Sequence, residues 1–141
     1  VCSSDLNHDS LKVYSKIDLL YKSPDGYYVI VDWKTGRPSE DDKEQLLVYA
    51  WYVMKKYDIH YSRIKGRVEY LLEGHSEEII FKSEDIEYIK AKVDNDLKII
   101  NYYLDDISLN KPKEKSVFEK TQKSYKCGQC KFRLLCKSDN D

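Results

Sequence analysis

The sequence contains little that would place the protein in a membrane or outside the cell. Its 141 residues include no apolar run long enough to cross a bilayer, no signal peptide, no internal repeat and no low-complexity tract. The absence of a signal peptide and of a transmembrane run predicts a cytoplasmic protein. The length of 141 residues predicts one domain that is large enough to bury a hydrophobic core. The net charge of −1 gives no sign that the molecule as a whole binds nucleic acid.

An apolar run that leads into Asp32-Trp33-Lys34-Thr35-Gly36 is the most informative feature that the sequence does have. Residues 27–31 are aromatic or β-branched and predict a buried strand. Side chains alternate along a strand, so Asp32 and Lys34 point to one face and Trp33 to the other. A carboxylate beside an ammonium at a strand end can bind a metal and stabilise a reacting oxyanion, and a surface ion pair is the alternative.

A second strand is predicted before this one, over residues 13–21. Pro24-Asp25-Gly26 between the two runs has the composition of a tight turn. Counting back across a three-residue loop places Asp18 directly opposite Asp32. Two facing carboxylates repel each other, so this register predicts a divalent metal between them.

A helix is predicted over residues 39–57. Ser39 is a suitable N-cap, acidic residues follow it in the first turn, and apolar residues recur with helical spacing. Gln45 and Tyr49 lie one turn apart at the edge of the apolar stripe. Such a pair is usually an ordinary part of a helix, but its position shortly after Asp32 and Lys34 favours a place at the same site.

Together, Asp18, Asp32-Trp33-Lys34-Thr35-Gly36 and Gln45-x-x-x-Tyr49 resemble the PD-(D/E)XK nuclease superfamily. They resemble most closely its RecB/AddB-like branch, which is found at the ends of helicase–nuclease proteins. The resemblance implies an α/β fold with a restriction-endonuclease-like core, in which α-helices flank a mixed central β-sheet. CRISPR-associated adaptation nucleases share this layout but usually have Glu at the position of Asp32.

The resemblance also implies roles for these residues. Asp18, Asp32 and the backbone carbonyl of Trp33 correspond to the ligands of Mg²⁺ or Mn²⁺, and Lys34 corresponds to the catalytic lysine. The motif that contacts DNA or supports this lysine is represented by Gln45 and Tyr49.

Three cysteines near the C-terminus have the close spacing that metal-binding thiolates need. Cys127, Cys130 and Cys136 form C-x2-C-x5-C, and disulfides are not expected in the cytoplasm. Zinc and iron–sulfur clusters both take four ligands, and the remaining cysteine is Cys2. AddB-like nucleases use this C-terminal pattern and one N-terminal cysteine to bind a 4Fe–4S cluster, so the resemblance implies such a cluster, with Zn²⁺ as the alternative.

The N-terminal segment is short for this family. In the family, the first cysteine precedes a helix that supplies a further His or Glu to the active site. The fifteen residues between Cys2 and Asp18 are too few for that helix and the first strand together. We therefore expect a fragment or a form without the leading helix, in which Asp5, His8 and Asp9 are the nearby candidates for the missing ligand.

The rest of the chain predicts two further strands, over residues 63–73 and 76–81, and a long helix capped by Ser83. The charge is unevenly distributed, because residues 111–137 carry eight Lys and one Arg against two Glu, a net charge of +7. This basic segment could follow a phosphate backbone, and a solvated loop is the alternative. Its candidate DNA-binding residues are Lys120, Lys123, Lys126 and Arg133.

The resemblance implies a metal-dependent deoxyribonuclease of exonuclease type. Such domains act on DNA ends or single strands during repair, often beside a helicase in the same chain or complex. A catalytically inactive DNA-binding or scaffolding module of this fold, a CRISPR-adaptation-type nuclease and a zinc-bound interaction domain are the alternatives.

Overall fold

The computed structural model describes residues 4–8, 11–121 and 124–137. The chain forms two compact units, Val1–Asp96 and Leu97–Asp141. The proposed metal-binding carboxylates and the lysine are in the first unit, whereas the basic segment and its three cysteines are in the second.

A hairpin and a mixed sheet form the strands of the first unit. In the hairpin, β1 (Ser4–His8) pairs antiparallel with β2 (Leu11–Ser15). The sheet has the spatial order β3-β4-β5-β6 and pairs β4 with β5 in parallel, while both outer pairs are antiparallel. Its strands are β3 (Leu19–Lys22), β4 (Tyr28–Lys34), β5 (Ile64–Tyr70) and β6 (His75–Ile80).

The turn between β3 and β4 fixes the register that the sequence predicts. Gly26 has a φ of +84°, a conformation that glycine adopts without strain, and its N–H donates to the Ser23 carbonyl at 2.8 Å. The N–H of Ser23 donates to the Tyr27 carbonyl at 2.8 Å, and the pairing continues to Leu19 opposite Val31. The predicted register is therefore confirmed from Lys22 to Leu19, and Asp18 lies in a bend directly before β3.

The predicted strand over residues 13–21 is wrong in its extent. The structure divides this stretch into β2, which ends at Ser15, and β3, which begins at Leu19. The two strands belong to different sheets, so the chain changes its pairing partner between them. Ile17 in this connection is 4% exposed and belongs to the hydrophobic core.

Helix α1 (Glu40–Tyr57) covers one face of the sheet and starts where the sequence predicts. The Ser39 hydroxyl accepts from the Asp41 N–H at 3.3 Å, and the Asp42 carboxylate accepts from the Ser39 N–H at 2.9 Å. The helix buries Leu46, Ala50 and other apolar residues against the strands, which contributes roughly 1.5–3 kcal/mol for each large side chain. At the end of the helix, Tyr57 is exposed.

The backbone of β5 at Gly66 lies close to the side chains of Phe81 and Leu46 in this core. A Cβ at Gly66 of β5 would lie 2.8 Å from the Phe81 ring and 3.2 Å from a methyl group of Leu46, so glycine lets α1 pack closely on the strand. Helix α2 (Ser83–Tyr102) adds Ile86 and Ile89 to the same core. The α/β fold, with a mixed central sheet flanked by helices, is the predicted one.

The second unit has shorter elements. It contains β7 (Leu104–Asp106), β8 (Lys111–Pro112), α3 (Ser124–Gln129) and α4 (Arg133–Lys137). The rings of Tyr103 and Phe118 stack with their centroids 4.9 Å apart. In the described residues of both units, no helix has the length and apolar character needed to span a membrane.

Candidate active site

The end of β4 places an anion and a cation side by side. Asp32 is only 3% exposed, and its Oδ2 lies 2.9 Å from Nζ of Lys34. Strand alternation directs both side chains to the face of the sheet that α1 covers. A buried carboxylate of this kind needs a nearby cation, and Lys34 supplies one.

Asp18 lies beside the end of β4, directly before the paired strand β3. Its Oδ2 accepts a hydrogen bond from the backbone N–H of Trp33 at 3.0 Å. The N–H and the carbonyl of one strand residue point to the same side, so the Trp33 carbonyl also faces Asp18. The side chain of Asp18 is exposed, unlike that of Asp32. The predicted oxygen donors are thus at one end of β4, with one carboxylate open to solvent and one buried.

Gln45 of α1 connects Lys34 to Asp32, and Tyr49 of the same helix holds Gln45 in place. The Gln45 Oε1 accepts from Lys34 Nζ at 2.5 Å, and its Nε2 lies 3.3 Å from Asp32 Oδ1. The same Nε2 donates to the Tyr49 hydroxyl at 2.6 Å, and this hydroxyl donates to the Lys16 carbonyl at 2.8 Å. The network therefore fixes which end of the Gln45 amide faces Lys34 and which faces Asp32.

Two residues of the site were not singled out from the sequence. Asp42 lies in the first turn of α1, where the sequence suggested only a favourable interaction with the helix dipole. Its Oδ1 is 3.5 Å from Lys34 Nζ, and its Oδ2 accepts from the Tyr70 hydroxyl at 3.1 Å. Asp42 precedes Gln45 by three residues and so shares its helix face, which is a signal that the spacing already contained. Tyr70 is the partner of Lys34 in the parallel pairing of β4 and β5.

The electrostatic environment keeps the lysine charged. Burial alone would lower the pKa of Lys34, but its contacts with Asp32 and the charge of Asp42 outweigh this effect and raise the pKa. Burial raises the pKa of Tyr49, although its hydrogen bond with Gln45 acts in the opposite direction. Burial, followed by the hydrogen bond to Asp42, raises the pKa of Tyr70 to about 12. At neutral pH the site therefore contains an ammonium and two neutral phenols.

The oxygen donors suit a hydrated divalent cation. Asp32 Oδ2 lies at ion-pair distance from Lys34 but accepts no hydrogen bond of good geometry from the described residues. Mg²⁺ commonly binds one or two carboxylates and keeps several waters, and Asp18 with Asp32 gives two. Within the described part of the chain, no three His, Cys, Asp or Glu side chains form a metal-binding group. Asp5 and His8 lie on β1, and Asp9 lies outside the described residues.

The cysteines and basic residues of the second unit surround a cavity of about 330 Å³. Cys127, Cys130 and Cys136 all line it as free thiols, although the described residues include no group of three such ligands arranged as a metal site. Three of the predicted DNA-binding residues share this cavity, namely Lys120, Lys126 and Arg133. Two further predicted residues, Cys2 near the N-terminus and Lys123 in the basic segment, lie outside the described residues.

Comparison with known proteins adds one finding to this geometry. A family model described as the PD-(D/E)XK nuclease superfamily matches residues 3–137, which is nearly the whole chain. No curated protein sequence gives a significant match.

Proposed function

The chain belongs to the PD-(D/E)XK nuclease superfamily, and from this premise we propose that it is a metal-dependent deoxyribonuclease of the RecB/AddB-like branch. The observation that carries the proposal is the ammonium of Lys34, which contacts both Asp32 of its own strand and Gln45 of α1. These contacts join the residues of two separate motifs around one reactive group. An isolated surface ion pair would not need a buried carboxylate and an oriented amide beside it.

Asp18, Asp32 and the Trp33 carbonyl are the proposed ligands of Mg²⁺ or Mn²⁺. The cation would supply a bound water of lowered pKa and neutralise charge on the scissile phosphate. Asp18 is exposed and Asp32 is buried, so a phosphate from solvent would approach the site from the side of Asp18. Asp18 also holds the end of β4, because its carboxylate accepts from the Trp33 N–H.

Lys34 is the proposed catalytic residue. Its raised pKa keeps it protonated at neutral pH, so it acts as a fixed positive charge toward the attacking water or the developing phosphorane oxyanion. Gln45 directs its amide oxygen at the ammonium and thereby limits the positions that Nζ can adopt. Tyr49, which is 8% exposed and bonded to Gln45, is a positioning residue that acts through this amide.

DNA is the proposed substrate, in the form of ends or single strands, with cleavage of the exonuclease type. The net charge of +7 in residues 111–137 supports a polyanionic ligand. Lys126 and Arg133 are exposed and contribute to the same cavity wall. A helicase in the same chain or complex is the proposed partner, because nucleases of this branch work beside one.

An iron–sulfur cluster, or Zn²⁺ in its place, is the proposed cofactor of the second unit. Three thiols around one cavity are the donors that such groups prefer, and the nearby cations suit the negative charge of a thiolate-bound cluster. The fourth ligand would be Cys2. Optical absorption and metal analysis of purified protein distinguish the two cofactors, because a 4Fe–4S protein is brown and a zinc protein is colourless.

Cleavage of end-labelled DNA tests the proposed activity. The wild-type protein should degrade single-stranded DNA with Mn²⁺ and spare a circular single strand, since an exonuclease needs an end. Lys34→Ala should lose cleavage, whereas Lys55→Ala, which alters an exposed lysine in the last turn of the same helix as Gln45, should keep it. Cleavage of the circle would contradict the exonuclease assignment, and equal cleavage by Lys34→Ala would contradict the active site. Preference for RNA would overturn the choice of substrate.

A further inference from the structure

Two carboxylates hold the ammonium of Lys34, and they differ in what else they can bind. Asp32 lies 2.9 Å from Nζ, and Asp42 lies 3.5 Å from it. Asp32 is one of the proposed metal ligands at the end of β4. Asp42 is on the first turn of α1, and its second oxygen is already occupied by protein donors.

The position of Asp42 is fixed from three directions. Its Oδ2 accepts from the backbone N–H of Ser39 at 2.9 Å, which closes the capping box of α1. The same oxygen accepts from the hydroxyl of Tyr70 on β5 at 3.1 Å. Asp42 and Tyr70 are 8% and 2% exposed, so little water competes for these hydrogen bonds. The remaining oxygen, Oδ1, is left facing Lys34.

A cation bound by Asp32 changes the balance between the two carboxylates. It would compete with the ammonium for the charge of Asp32 and repel it at short range. Gln45 would still accept from Nζ, but a neutral amide offsets a positive charge less well than a carboxylate does. Asp42 is then the anion that remains for Lys34, because its other contacts are to an N–H and a hydroxyl.

We propose that Asp42, held by Tyr70, is a positioning residue that keeps the Lys34 ammonium in the active site when Asp32 binds a divalent cation. This inference rests on the proposed function for the identity of the metal ligands. Its contacts come from three elements that meet only in the folded protein: Lys34 from β4, Asp42 from α1 and Tyr70 from β5.

Asp42→Asn tests this role because asparagine keeps an oxygen acceptor for Tyr70 and Ser39 but removes the charge. The first measurement is the NMR order parameter of the Lys34 side-chain ammonium, with and without saturating Mg²⁺. We expect Asp42→Asn to loosen Lys34 most when Mg²⁺ is bound, and Tyr70→Phe to have a smaller effect in the same direction. Ser39→Ala is the matched control, because it removes the other half of the capping box without touching Lys34.

Kinetics with single-stranded DNA and Mg²⁺ give the second measurement. We expect kcat of Asp42→Asn to fall roughly 10- to 100-fold, since a displaced catalytic group costs this much, while KM and Mg²⁺ affinity stay near the wild-type values. Ser39→Ala should keep the wild-type kcat despite a weaker helix start.

The outcomes separate the inference from the proposed function. An ammonium that stays equally ordered in Asp42→Asn and Tyr70→Phe with Mg²⁺ bound would overturn the role of Asp42. A loss of Mg²⁺ affinity in Asp42→Asn would overturn it as well, since Asp42 would then be a ligand. If the wild-type protein does not cleave DNA, the proposed function is wrong, whereas the NMR comparison still decides whether Asp42 holds Lys34.

Discussion

Replacing Lys34 by methionine should destabilise the metal-free protein and make it unusually dependent on Mn²⁺. Methionine retains an unbranched side chain of similar length, so packing changes little while the charge is lost. Asp32 is 3% exposed and would then be a buried carboxylate without its cation. Asp42 would lose the same partner.

The expected destabilisation follows from the burial of the pair. Removing one partner of a buried ion pair costs about 3–5 kcal/mol. The Lys34 side chain is 23% exposed and that of Asp32 is 4% exposed, so water offsets part of the loss. We therefore expect a decrease of roughly 2–3 kcal/mol in the free energy of unfolding, which a domain with a typical stability of about 5–15 kcal/mol survives.

Urea denaturation with and without Mn²⁺ measures both effects. A ligand present at 100 times its Kd stabilises the folded state by about 2.7 kcal/mol. The gain should be larger for Lys34→Met than for the wild type, because the cation also replaces the lost ammonium beside Asp32. Lys55→Met is the matched control on the exposed end of α1, and its stability should stay within about 0.5 kcal/mol of wild type.

Two results would refute this reasoning. If Lys34→Met equals the wild type in unfolding free energy without metal, Asp32 does not depend on the lysine. If Mn²⁺ stabilises both proteins equally, the cation does not bind near Asp32. Recovery of DNA cleavage by Mn²⁺ in the variant would separately argue against a catalytic role for Lys34.

Three further predictions concern other parts of the chain. Asp18→Asn should lower Mn²⁺ affinity at least about tenfold by calorimetry and stabilise the metal-free protein, since it relieves repulsion with the carboxylate of Asp32. The folded pKa of Tyr70 is raised from 10.0 to about 12, so its stabilising contribution is present below pH 10 and is lost as the pH rises toward 12. Tyr70→Phe should therefore flatten the pH dependence of the unfolding free energy in that interval. Changing Lys120 and Lys126 to Gln should reduce the salt dependence of single-strand binding by about 1.4 log units per log unit of salt, and an unchanged slope would place the DNA elsewhere.

Local chemistry explains why part of the site could be predicted from the sequence. The turn at Gly26 fixes the pairing of β3 with β4 through neighbours in the chain, so counting was enough to bring Asp18 to the end of β4 that contains Asp32. The start of α1 followed in the same way from Ser39 and the acidic residues after it. Both features depend on a few consecutive residues and on no distant contact.

The prediction of one strand over residues 13–21 was wrong because the sequence of a strand does not show which strand it pairs with. An apolar run predicts that a strand forms, but it does not identify the pairing partner of that strand. The residues from 13 to 21 continue one pattern in the sequence, yet the chain leaves the hairpin with β1 after Ser15 and enters the central sheet at Leu19. The break depends on where β1 lies in space, which the periodicity of the run does not contain.

Asp42 and Tyr70 show the same limit at the site itself. Each residue has a sufficient local explanation, since an acidic residue suits the first turn of a helix and an aromatic residue suits a strand. Their contact requires the parallel pairing that sets Tyr70 beside Lys34 and the packing of α1 across β5 at Gly66. The carboxylate that caps α1 therefore reaches the lysine only because the helix lies close to the sheet. A Cβ at Gly66 would lie 2.8 Å from the Phe81 ring and 3.2 Å from a methyl group of Leu46, the neighbour of Gln45 in α1, so a residue without a side chain helps to keep this helix close to Lys34.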